Sequence, residues 1–126
     1  MMSRFCRYVD KVFGFDSTVR RLTDARRKPQ IPCAAAWTSA FVMSATRLRS
    51  LNAIDSELRM PRRLDGLIGP RKPSADTIGR VLALMDPDEL RALLAGINHK
   101  LKRNKALATN EPLRFVAVDG HEFFSQ

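Results

Sequence analysis

Two groups of residues in this sequence have types and spacings suited to chemistry. The first is Asp119-Gly120, which closes the run Arg114-Phe115-Val116-Ala117-Val118. That run is rich in β-branched and aromatic residues and lacks helical spacing, which predicts a strand. A strand end holds a carboxylate at the edge of a sheet, and the following glycine lets the chain turn away or a ligand approach. Asp119 is therefore a candidate catalytic acid, although a Val-Asp-Gly string taken alone is more often a plain turn. The second group is basic. Arg20-Arg21, Arg26-Arg27-Lys28, Arg62-Arg63, Arg71-Lys72 and the set Lys100, Lys102, Arg103 and Lys105 are candidate phosphate contacts. Any one of them could equally be a solvated face. No zinc finger, basic zipper or RNA-binding aromatic signature is present to read bases.

The charge balance gives the basic group its weight. The chain has 126 residues, with 22 Lys/Arg against 13 Asp/Glu and a formal net charge of +9. Residues 1–80 hold 16 of the cations and 7 of the acids, and residues 81–126 hold 6 of each, so the whole excess lies in the first two thirds. A basic front of this kind suits a polyanionic partner, with nucleic acid as the first expectation. Hydrophobic residues make up 44%, which predicts a folded chain rather than a disordered one. The longest nearly apolar stretch, 31–45, is shorter than the roughly 20 residues a spanning helix needs. The first turn carries Arg4, Arg7, Asp10 and Lys11 with no apolar region of a secretory signal behind it. Cys6 and Cys33 are too few for a disulfide framework or a zinc site, so both are expected as free, buried thiols in a reducing cytoplasm.

The elements that must position these residues follow from periodicity and punctuation. Phe5, Val9, Val12 and Phe13 predict a helix over 3–13 ended by Gly14, and a second short helix follows from about Ser17. Residues 24–29 form a charged loop stopped by Pro29 and Pro32. Pro32 suits the first turn of a helix through Ala45 that is apolar nearly all round and should be central, with Trp37 and Phe41 in its core packing. Ser50 caps a helix over 51–58. Residues 61–73 are irregular apart from a turn around Leu64 and Leu67-Ile68. Ser74 caps a helix to about Met85. Asp86-Pro87-Asp88-Glu89 starts another that runs to about Lys102 and buries Leu90, Leu93, Leu94, Ile97 and Leu101. His99, near its end, reads as a cation complementing the helix dipole.

The order of these pieces resembles a known family. The string Pro73-Ser74-Ala75-Asp76-Thr77-Ile78-Gly79-Arg80-Val81 is followed by Asp86-Pro87, then a helix, then Val116-Ala117-Val118-Asp119-Gly120. It is similar to the N-terminal region of DDE-type transposases from bacterial insertion sequences, in the branch that includes the H-repeat-associated proteins. There the strand ends in Ile or Val, Asp, Gly, and Lys or His; this chain has His121. The run Asp24 to Pro29 is similar to the family's basic segment before its buried helix. The resemblance covers roughly residues 20 to 120. It implies that Asp119 is the first acid of a catalytic triad on a ribonuclease-H-like sheet. With two further acids it would hold two Mg²⁺ ions about 4 Å apart for attack on a DNA phosphodiester.

Only seven residues follow Asp119, and the second Asp and the Glu of such a triad are not among them. Glu122 lies too close along the chain to replace them. The expectation is thus a mainly α chain: a helical domain of five to six short helices over 1–103, a linker over 104–113, and over 114–126 the single strand and turn that open a truncated ribonuclease-H-like domain. It should bind double-stranded DNA, as a monomer or a homo-oligomer, hold no metal by itself, and be inactive in strand transfer. Two other readings remain open. One is a small helical nucleic-acid-binding module with no catalytic ancestry. The other is a helical interaction protein that donates its last strand to a partner's sheet.

Overall fold

Pro32 sets the start of the helix on which the others assemble. In a computed structural model, which describes residues 2–106, seven helices follow one another: α1 (Met2–Phe13), α2 (Phe15–Arg21), α3 (Cys33–Ala45), α4 (Leu51–Arg59), α5 (Asp65–Ile68), α6 (Ala75–Ala83) and α7 (Pro87–Arg103). The helical domain expected from the sequence is present. The predicted strand, with Asp119, Gly120, His121 and Glu122, lies outside the described residues, as does most of the predicted linker.

α3 is the hub, packing against α2, α4, α5 and α6. Its many small residues explain why. Ala35, Ala36 and Ser39 are buried together with Val42, and their short side chains admit neighbours on several sides. The buried Ser39 hydroxyl donates to the Ala35 carbonyl at 2.7 Å, so no polar atom is stranded in the core. Around α3 the core is completed by Ile54 and Leu58 of α4, Ile68 of α5, and Ile78 and Val81 of α6. Gly79 lets α4 come close to α6: a Cβ there would sit 3.3 Å from Leu51. Pro32 itself lies at the N-cap, one position earlier than expected, and its carbonyl accepts from Ala35 N–H at 3.0 Å.

The start signals operate as their chemistry dictates. Ser50 Oγ accepts from Ala53 N–H at 3.1 Å, Ser74 Oγ from Thr77 N–H at 3.3 Å, and Asp86 Oδ1 from Asp88 N–H at 2.9 Å. α6 ends at Ala83 rather than near Met85. Asp86 precedes a proline and caps the next helix in an extended conformation, so the chain must leave α6 before it. The stretch read as a turn around Leu64 forms the four-residue α5.

Gly14 joins α1 to α2 in a left-handed conformation, φ +62°. Its N–H donates to the Asp10 carbonyl at 2.7 Å, and its own carbonyl accepts from the hydroxyls of Ser17 and Thr18. A Cβ would also stand 3.3 Å from Ser17 Oγ. Gly14→Ala is expected to cost about 1–2 kcal/mol, read as a fall in the urea unfolding midpoint with the m-value unchanged.

α7 departs most from the sequence expectation. None of its residues is buried. Leu93, Ile97 and Leu101 are half-covered, whereas Leu90 is 38% and Leu94 56% exposed. The helical period identifies the apolar stripe correctly, but the described residues reach only one edge of it. Two polar ties hold α7 in place. At its start Glu89 accepts from the backbone N–H of Thr23 at 3.0 Å and from the Thr23 hydroxyl, rather than reaching back to cap its own helix. Near its end Lys100 Nζ donates to the Phe13 carbonyl at 2.7 Å.

Candidate nucleic-acid interface

The basic residues singled out in the sequence divide into those with structural employment and those without. Arg26 is the most committed. Its Nε donates to Asp24 Oδ1 at 2.8 Å, and its Nη2 donates to Asp24 Oδ2 at 2.7 Å and to the Ile31 carbonyl at 2.6 Å. The two side chains are only 14% and 21% exposed. This fork pins the 24–31 loop against the start of α3. Lys72 is similarly occupied: it pairs with Asp65 and donates to the Arg63 carbonyl at 2.8 Å, at 18% exposure. Lys100 is the third, through Phe13.

The others lie nearer the surface. Arg20 pairs with Asp16 and Arg63 with Glu57 on exposed faces, where such pairs contribute little. Arg21 donates to the Ser17 carbonyl of its own helix, and Arg71 to the Gln30 carbonyl at 3.3 Å. Arg27, Lys28, Arg62, Lys102, Arg103 and Lys105 are exposed and make no side-chain hydrogen bond or ion pair among the described residues.

The fold also brings distant positions together. Arg20 and Arg71 line one depression between α2, the start of α3 and the segment leading to α6. Arg63 and Lys72 meet through the Arg63 carbonyl. Arg21 and Lys100 flank a groove between α2 and α7 of about 400 Å³, walled by Phe13, Phe15, Leu93 and Ile97. Sequence spacing hides all three pairings, because each partner comes from a different helix or loop.

The acids are nearly all in use. Of the ten Asp and Glu among the described residues, six sit in ion pairs. Asp10, Asp86 and Glu89 accept protein hydrogen bonds, and only Asp76 makes none among the described residues. Among the described residues the surplus cations thus outnumber the uncommitted carboxylates, of which Asp76 is the one.

The Arg26 fork holds the Asp24 carboxyl below its ordinary range, chiefly by hydrogen bonding and against the opposing effect of burial. A depressed carboxyl pKa stabilises the fold above the unfolded-state value and ceases to do so as pH falls through the folded one. Asp24→Asn is expected to cost about 1–2 kcal/mol at neutral pH, and less below about pH 4, where the native pair also weakens. Urea titrations at pH 7 and pH 3 check both the loss and its sign.

Cys6 and Cys33 are free, as the sequence suggested, but half-buried rather than buried, and what burial they have pushes both thiols up. That makes them weak nucleophiles. His99 is exposed near the end of α7, the place expected of a helix-end cation. Trp37 packs against the core, and Phe41 stacks with Phe5 and lies against Phe15, so neither is a free stacking platform for bases. Among the described residues no group of three or more His, Cys, Asp and Glu is placed to hold a metal, and no helix is long and apolar enough to cross a membrane. Comparison with protein-family models, curated proteins and solved structures finds no match to the chain.

Proposed function

We propose that this chain is the helical DNA-binding region of a DDE-type transposase, joined to the first strand of its catalytic domain. The observation that carries DNA binding is the charge ledger: among the described residues eleven exposed cations make no side-chain hydrogen bond or ion pair, while nine of ten carboxylates are already committed. A surface of that kind attracts a polyanion and gains by releasing its counterions. The absence of a base-reading motif suits contact through phosphates rather than sequence readout.

The transposase assignment rests on the resemblance. Ser74 and Asp86, two landmarks of the resembling string, cap α6 and α7. Asp119 would be the first metal-binding acid, with Mg²⁺ held only when two further acids complete the triad. In this reading the helical region supplies the duplex binding.

A salt titration with a short duplex tests this. The logarithm of affinity should fall linearly with the logarithm of salt concentration, by about 0.9 per phosphate neutralised. Affinity independent of salt would contradict the reading. With Mg²⁺ present no nicking is expected, and nicking abolished by Asp119→Ala would overturn the claim of inactivity. Sequencing the genomic DNA downstream separates this reading from a helical binding module of other ancestry: a frame encoding strands with an Asp and then a Glu favours the transposase.

A further inference from the structure

Leu90, Leu94, Ile97 and Leu101 follow one another along α7 at intervals of four, three and four residues. That is the spacing of a coiled-coil seam, and it sets the four on one stripe about 16 Å long. Among the described residues the fold covers only part of this stripe. Ile97 and Leu101 are half-covered, whereas Leu90 is 38% and Leu94 56% exposed. The groove against α2, walled by Leu93 and Ile97, lies to one side of the stripe and leaves the other side open. An open apolar stripe between polar flanks marks an interaction surface. We propose that its partner is a second copy of this chain, with the two α7 helices packed antiparallel about a two-fold axis.

Spacing and charge select this partner. The stripe is symmetric about its midpoint between Leu94 and Ile97, so a two-fold axis there sets Leu94 against Ile97 of the other copy, and Leu90 against Leu101 of the other copy. Each open leucine is thereby matched to a half-covered side chain. The charges of α7 are divided by end, with Asp88 and Glu89 in the first turn and Lys100, Lys102 and Arg103 in the last. The antiparallel arrangement lays the acidic turn of each copy beside the basic turn of the other, and it opposes the two helix dipoles. Asp88 and its partner Arg91 are 83% and 78% exposed, so their ion pair is cheaply rearranged. A parallel arrangement would instead crowd the two basic ends together. One face of one helix is a small interface, so the pair is expected to be transient, with a dissociation constant of about 1–100 μM.

This proposal does not depend on DNA binding, and its test uses no DNA. In sedimentation of the full chain, the weight-average mass should rise from that of one chain towards that of two between about 1 and about 500 μM. Chains labelled only at leucine methyls, mixed with chains labelled only at isoleucine methyls, can show contacts between the two labels only across copies. Nuclear Overhauser contacts in that mixture should join Leu94 to Ile97. Leu94→Asp and, separately, Leu90→Gln should weaken association by about tenfold or more with helical circular dichroism retained, since both positions lie on the open side of α7. A chain that stays monomeric over the whole range overturns the proposal, and would assign the stripe to cover from within its own chain. Association that survives both substitutions, or that gives no contact between Leu94 and Ile97, overturns it as well, because the copies would then meet through another face or in another direction.

Discussion

Ile78→Ala should lower the stability of this protein by about 2–5 kcal/mol, a large part of what a domain of this size possesses. Ile78 of α6 is fully buried, in a core cluster of eight buried hydrophobic side chains among the described residues. Removing three carbons there forfeits their transfer free energy and leaves a cavity. Helices crossing at a common hub can close that cavity only by breaking other contacts. Ile54→Ala, at an equally buried position on α4, should behave alike. The effect should be a drop in melting temperature of about 10 °C or more. Asn52→Ala, on the exposed side of α4, should stay within about 0.5 kcal/mol of the parent. A mild loss at Ile78, comparable to that at Asn52, would show that α6 does not anchor the fold.

The second large effect concerns DNA. Replacing Lys102, Arg103 and Lys105 together by Gln, or Arg27 and Lys28 together, should separate the basic residues that meet phosphate from those that merely face water. For the set that lies on DNA, the salt slope should fall by about 1 for each residue in contact, and affinity at low salt by about tenfold or more. Arg26→Gln and Lys72→Gln provide the contrast. Their charges already serve Asp24, Ile31, Asp65 and the Arg63 carbonyl, so they should alter the unfolding midpoint and leave the salt slope nearly unchanged. If neither exposed set changes the slope, DNA binding through these clusters is excluded.

This contrast also marks where sequence reading reaches its limit. Local signals were legible because their physics is local. Ser50, Ser74 and Asp86 cap helices through hydrogen bonds within three residues, and the proline at position 87 fixes a first turn. The seven-helix order could thus be anticipated nearly in full, apart from the one-turn α5. That helix begins from Leu64 in a left-handed conformation, a geometry its residue type does not announce. What could not be read is whatever depends on partners far along the chain. Glu89 was legible only as part of a helix-start string, whereas it binds Thr23, 66 residues away. The period of α7 told which residues share a face, but burial requires a second surface, and the described residues supply only one edge of it. A count of basic residues likewise cannot tell Arg26, locked in a fork, from Arg27 beside it.

The two ties on α7 carry a further consequence for the order of assembly. The contacts among α3, α4, α5 and α6 join segments within about fifty residues of one another, so their loops close at modest entropic cost. The Lys100–Phe13 bond closes a loop of 87 residues and adds no buried side chain. Such a contact gains little before the chain is already compact. The central four helices are therefore expected to form first, and the first and last helices to join at the end of folding. By the same reasoning α7 is expected to detach before the α3 hub opens, which faster amide exchange over α7 than over α3 would check.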